Sequence, residues 1–287
     1  MEASKPNQKP AVSTGSNVRG IKNASLVILV CFIIAVCLFL FLFGNPSHFE
    51  FDGEFAGSSM WFAPEELKYH PNDLIGTIFK GGVIVPILQT LFLTVIVLSV
   101  ERAIALSSAK GNGNITKFVA EIKKCLATND INKAQELCKK QKGSVAAVVS
   151  AALVRYKEMD ENTILTKEQK IATLQKEVEE ATAMEMPSLQ QNLPIVATLT
   201  TLGTLVGLLG TVIGMIKSFQ ALSASGAPDS TELSTGISEA LVNTAFGIAT
   251  GAFAVISYNF YTNKIDHLTY AIDEIGYSIV QSFAANH

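Results

Sequence analysis

The sequence predicts an all-α integral membrane protein with four transmembrane helices, one of them an extra span at the N-terminus, and long helices extending into a helical cytoplasmic domain. Three observations predict it. Four stretches of the 287-residue chain are apolar over the length needed to cross a hydrocarbon core, about 20 residues. Lysine and arginine fall unevenly on the two sides of those stretches. Between the second and third stretches, apolar residues recur at helical spacing. The composition agrees. With 48% hydrophobic and 16% charged residues, the chain is too apolar for an ordinary soluble protein and too polar to lie wholly in a membrane. A net charge of −3 suggests no nucleic-acid partner.

The elements follow in order. Residues 1–25 form a polar cytoplasmic leader. Transmembrane helix 1 covers 26–43, LVILVCFIIAVCLFLFLF. This run exceeds a secretory h-region and lacks a following A-x-A site, so it is read as an uncleaved anchor. An outside segment, 44–82, periplasmic only by the family likeness given below, is rich in aromatics, and Trp61, Phe62 and Tyr69 suit the membrane interface. His48 and His70 are isolated there and read as surface histidines. Transmembrane helix 2 covers 83–100 and is closed by Glu101 and Arg102.

A cytoplasmic helical domain occupies 101–192. Asp130 is placed to cap a helix whose apolar face is Ile131, Ala134, Leu137 and Cys138. An apolar helix follows from Ser144. A third, from Thr166, carries Ile171, Leu174 and Val178 on one side, and Pro187 is expected to end or kink it. Transmembrane helix 3 spans 193–216, a periplasmic loop 217–236, transmembrane helix 4 237–257 and a cytoplasmic C-terminal helix 258–287.

Orientation rests on the basic residues. The leader, domain and tail hold 19 of the 22 lysines and arginines, and the two opposite segments hold Lys68, Lys80 and Lys217. The side rich in Lys and Arg is the cytoplasm, so both termini are expected there. Cys31, Cys37, Cys125 and Cys138 show neither zinc spacing nor a disulfide framework and read as small apolar filler.

The third and fourth spans are not plain apolar filler. Gly203 and Gly207 form one GxxxG and Gly210 and Gly214 a second, and Gly247 and Gly251 recur in span four. Such residues let membrane helices approach closely, so their reading is helix packing. Thr204 and Thr211 lie seven apart on one face, with Thr200 close to the same stripe. Span four begins with Glu239 in its first turn, then Asn243 and Thr244. A lone membrane threonine back-bonds to its own helix; a stacked row is better explained as a polar lining or an interhelical contact. A carboxylate within a span is costly and marks a candidate functional group, unless it sits near enough to the membrane edge to reach water. Thr211, Thr244, Glu239, Thr204 and Asn243 are therefore the candidate ion-pathway residues. No nucleophile with a base, metal cluster or cofactor loop appears, so neither an enzyme nor a cofactor is expected.

These residues carry a family likeness. QQNLPIVATLTTLGTLVGLLGTVIGMIKSFQALS followed by GISEALVNTAFGIATGAFAVISYN resembles the MotA/TolQ/ExbB proton-channel family, ExbB-type proteins above all. The resemblance covers about residues 83–265, and the leader, first span and outside segment are additions to a three-span form. It implies a pentameric ring whose last two spans line a pore. Inside the pore would sit an ExbD/TolR-like single-span partner whose aspartate takes and releases protons, and a TonB-like protein would carry the motion to the outer membrane. Thr211 matches the threonine of the GTV element, Thr244 that of TAxGI, and Glu239 the glutamate of GIxEAL. The chain departs where the family often has Ala-Pro, here Gly203-Thr204, and at Asn243, often a small or apolar residue. A Tol-type envelope machine, a gliding or motility stator and a non-conducting membrane scaffold are the alternatives.

Overall fold

The structure, a computed structural model, describes residues 20–21, 23–51, 57–64, 67, 69–224 and 230–287. The expected leader falls almost wholly outside them. In chain order the elements are α1 (Ala24–Cys37), which a π-helical turn extends over Leu38–Phe43, β1 (Phe49–Phe51), β2 (Tyr69–Pro71), α2 (Leu74–Phe79), α3 (Ile84–Lys110), α4 (Ile115–Ala127), α5 (Ile131–Gln141), α6 (Gly143–Glu161), α7 (Lys167–Gln190), α8 (Leu193–Ala224) and α9 (Ser230–Asn286). Among the described residues, four helical stretches are long and apolar enough to cross a membrane, those beginning at Ala24, Ile84, Leu193 and Leu233. The protein is an all-α membrane protein carrying one small two-stranded sheet. Both α8 and α9 run past the expected span ends, so the connection between them narrows to 225–229, outside the described residues.

The chain divides into two compact units. One comprises Ala103–Gln191 with Thr262–His287. Three of its helices, α4, α5 and α7, start on a polar cap: Asn114 accepts from Thr116 N–H, Asp130 from Lys133 N–H at 3.0 Å, and Thr166 forms a reciprocal capping box with Gln169. Asn129 (φ 53°) and Lys142 (φ 57°) take the left-handed conformation at helix boundaries. The core joins Ile122, Leu153, Leu174, Ile272, Ile275 and Ile279, all essentially without solvent exposure. Tyr156 meets Phe283 edge-on at 4.9 Å, and Ser282 donates to Leu126 O. Pro187 does not end α7, which continues to Gln190. Proline removes the hydrogen bond that position 187 would give the Ala183 carbonyl, and the helix breaks within one further turn, at Gln191. Cys125 and Cys138 are buried in this unit, and burial pushes the Cys138 thiol up to about 12, which leaves it unreactive.

The second unit, Ile21–Arg102 with Asn192–Tyr261, holds the spans. Val95, Leu98, Val196, Leu199 and Ala254 form a buried cluster, against which Val27 of α1 packs. At the other end of the same helices, Phe39, Phe49, Met60, Phe79 and Val85 form a second. Thus α1 with its π-helical extension lies along α3 with one stripe, Cys31, Ala35 and Phe39, buried, flanking residues such as Val27 half-buried and most of the remainder exposed. β1 and β2 pair antiparallel, Phe49 opposite Pro71 and Phe51 opposite Tyr69. Trp61 and Phe62 are 50% and 65% exposed, whereas Tyr69 turns inward against Phe49 at 5.4 Å.

Asp73 ties this segment together. Its carboxylate caps α2 by accepting from Gly76 N–H at 2.8 Å and meets His48 Nδ1 at 2.7 Å. The Gly76 hydrogen bond above all, helped by His48, holds the Asp73 pKa below the usual carboxylate range. A depressed native pKa contributes stability that is complete above the unfolded value, about 4, and is lost as pH falls through the native one. Thermal unfolding of the purified protein between pH 6 and 3 is therefore expected to show a destabilising limb at the acid end. That limb shrinks in Asp73→Asn, which can still cap but cannot titrate.

Candidate functional site

The seam between α8 and α9 is built from glycine. A Cβ placed on Gly207 would lie 2.8 Å from the Gly247 Cα, and one on Gly203 would lie 2.8 Å from Thr250 Cγ2. Gly210 faces Asn243, Gly214 faces Gly236 and Ala240, and Gly251 faces Thr204 and Thr200. As the α8 number rises the α9 number falls, which is an antiparallel register. Backbones this close gain dispersion contacts that bulkier residues would forbid. The spacing of four fixes this: residues four apart share a face of a helix.

Beside the seam, the half-buried Thr211 and Thr244 hydroxyls hydrogen bond to each other. Each also lies within donating reach of a carbonyl of its own helix, Thr211 of Gly207 O at 3.2 Å and Thr244 of Ala240 O at 3.1 Å, so whichever hydroxyl donates to the other gives up its own carbonyl. A hydroxyl has one proton and two lone pairs, so this pair keeps acceptor capacity toward a further donor such as a protonated carboxyl. Thr204 is exposed and back-bonds to Thr200 O.

Glu239 and Asn243 point elsewhere, toward the turn that opens α3. Glu239 is 6% exposed and accepts from Lys217 Nζ at 2.8 Å. A Cβ on Gly82, whose φ is +72°, would lie 2.5 Å from its Oε1. Asn243 has no solvent exposure and donates to Gly81 O at 3.1 Å; its Oδ1 has no partner among the described residues. The structure therefore brings Thr211 and Thr244 together, sets Glu239 and Asn243 on the Gly81–Gly82 turn, and leaves Thr204 apart from both. Sequence reasoning missed Lys217 and Gly81–Gly82 as partners. The signal available was Lys217 as the lone base of segment 217–236.

A third polar cluster closes the far end of the spans. Arg102 has no solvent exposure and donates to Glu101 through Nε at 2.7 Å and Nη2 at 2.5 Å. The same carboxylate accepts from Ile21 N–H at 3.1 Å and from Asn192 Nδ2 at 3.3 Å, while Asn192 also donates to Ile21 O. Asn192 adopts φ 64° at the break between α7 and α8, a conformation asparagine tolerates better than most residues. Among the described residues, no group of three or more His, Cys, Asp or Glu could hold a metal ion.

Residues 140–274 match the MotA/TolQ/ExbB proton channel family, a stretch that contains the whole α8–α9 seam. Over that stretch the chain is similar to this family. It is 34% identical over 93 residues to the ExbB-like 3 biopolymer transport protein of Synechocystis sp., an alignment covering 30% of this chain and 44% of that protein. It is 33% identical over 75 residues to the Tol-Pal system protein TolQ of Haemophilus influenzae, covering 26% and 33%, and 32% identical over 88 residues to TolQ of Pseudomonas aeruginosa, covering 31% and 38%. The matches thus span less than half the length of these relatives.

Proposed function

We propose that the chain is the channel-forming subunit of a proton-driven motor in a bacterial inner membrane, of ExbB type, with both termini in the cytoplasm. The single observation that carries this reading is the Thr211–Thr244 hydroxyl pair beside a glycine-packed seam. Spans three and four offer no aspartate, and their one carboxylate, Glu239, is held by Lys217. The proton-carrying group then comes from a partner: a single-span protein of ExbD/TolR type, seated inside a homo-oligomer, a pentamer by family likeness. The threonines accept a hydrogen bond from its carboxyl while that carboxyl is protonated, and release it on ionisation. A TonB-like protein transmits the resulting motion to outer-membrane transport.

The test is Thr244→Val in a strain without a second homologue. The threonine shape is kept and the hydroxyl removed, so assembly is expected to survive. Uptake of an iron chelate or cobalamin should fall about tenfold or more if one hydrogen bond to an ionisable group, worth about 1.5–3 kcal/mol, is lost from the cycle. Uptake at the wild-type rate in an assembled mutant sinks the proposal and favours a scaffold. The two TolQ relatives favour a second reading, a Tol-type envelope machine; a leaky envelope with normal uptake in the same mutant selects it.

A further inference from the structure

A cleft of about 410 Å³ opens between the β-hairpin segment and the first turns of α9, in the unit that holds the spans. Its walls are His70, Thr77 and Lys80 on one side and Ser234, Thr235 and Ser238 on the other. It presents a cation and several hydroxyls, and among the described residues no carboxylate lines it. Lys80 folds over the Tyr69 ring at 4.0 Å and forms no ion pair among the described residues. Burial holds its pKa below the ordinary lysine range, the mark of an ammonium short of water. Such a group gains more from an arriving anion than a fully hydrated one does.

The cleft also sits at a definite depth. Lys80 lies just before α3 enters its apolar run, and Ser234–Ser238 lie where α9 enters its own. Trp61, Phe62 and Leu74, at 50%, 65% and 74% exposure, are unburied apolar side chains of the same hairpin segment. Exposed aromatics beside the start of a span sit at headgroup level. A cation with converging hydroxyls is the donor set that phosphate oxygens accept from.

We infer that this cleft binds a phosphate oxyanion, and that its source is the headgroup of a phospholipid. The site belongs to the added segment and the outset of α9, so it stands whether or not the channel reading holds. A lipid seated there bridges the hairpin to the helix that carries Glu239, Asn243 and Thr244.

The test uses the full chain, purified in mild detergent and stripped of lipid. It is titrated with phosphatidylglycerol, with a diacylglycerol bearing an uncharged sugar, and with inorganic phosphate, and occupancy is read by native mass spectrometry. Phosphatidylglycerol is expected to bind saturably and in preference to the uncharged lipid. Lys80→Gln should weaken it about tenfold, the size of a lost charged hydrogen bond, and Ser238→Ala by a smaller factor of about 2–5. Lys139→Gln, which removes the same charge from an exposed position on α5, should leave it unchanged. Ser238→Ala keeps the test open if Lys80→Gln fails to fold. Equal affinity of the wild type and both cleft variants overturns the site. Saturable phosphate binding that Lys80→Gln abolishes, with no preference for phosphatidylglycerol over the uncharged lipid, overturns the lipid source.

Discussion

Glu101→Gln is expected to cost about 3–5 kcal/mol, because it leaves a buried guanidinium without its neighbouring counter-charge. Arg102 has no solvent exposure, and Glu101 takes two of its hydrogen bonds. Against a total stability of about 5–15 kcal/mol, that is a large part of what keeps a domain folded. The same carboxylate also holds Ile21 N–H and Asn192, so the entry to α1 and the break between α7 and α8 lose their common acceptor. A neutral amide oxygen can still accept one of these bonds but supplies no charge. The double replacement Glu101→Leu with Arg102→Met removes both ions together, and buried pairs replaced in this way often come out near neutral. The double variant still strips Ile21 N–H and Asn192 of their acceptor, so thermal unfolding in detergent should rank wild type well above Glu101→Gln, with the double variant between them. A single variant that melts with the wild type would show that other contacts satisfy Arg102.

How much of this was legible beforehand follows from the range of each signal. The four spans were legible because an apolar run is a local property of about 20 residues. The Asp130 cap was legible at its own position, whereas the Thr166 capping box was not read from the sequence. The glycines at 203, 207, 210 and 214 announced a close-packing face through their spacing, but not the residues they would meet. Lys217 and Glu239 are 22 residues apart, and Gly81 and Asn243 are 162 apart, so no window along the chain joins them. The hairpin was missed for another reason. Its strands have three residues each, too short for alternation to register, and its aromatics look like interface residues in a bare sequence. Tyr69 shows the cost of that reading: it packs against Phe49 and under Lys80, while Trp61 and Phe62 remain exposed.

Gly207 carries the second large effect. In an ordinary helix, alanine is preferred over glycine by about 1 kcal/mol, so a substitution there should stabilise unless something blocks it. Here the obstacle is backbone. A Cβ on Gly207 would meet the Gly247 Cα at 2.8 Å and the Asn243 carbonyl oxygen at 3.0 Å, and neither can swing aside as a side-chain tip can. The helices must separate, and overpacking of this kind costs about 1–3 kcal/mol or more. Leucine at 207 should exceed alanine, since its whole side chain must find room in the seam. Separation at Gly207 also acts one turn away, where Thr211 meets Thr244. Cysteines at these two positions are expected to form a disulfide on mild oxidation, and adding Gly207→Leu should lower its yield about tenfold, the equivalent of about 1.4 kcal/mol of lost proximity. Undiminished cross-linking in the triple variant would mean that α8 and α9 hold their spacing without the glycine, and that the threonine pair does not depend on the seam beside it.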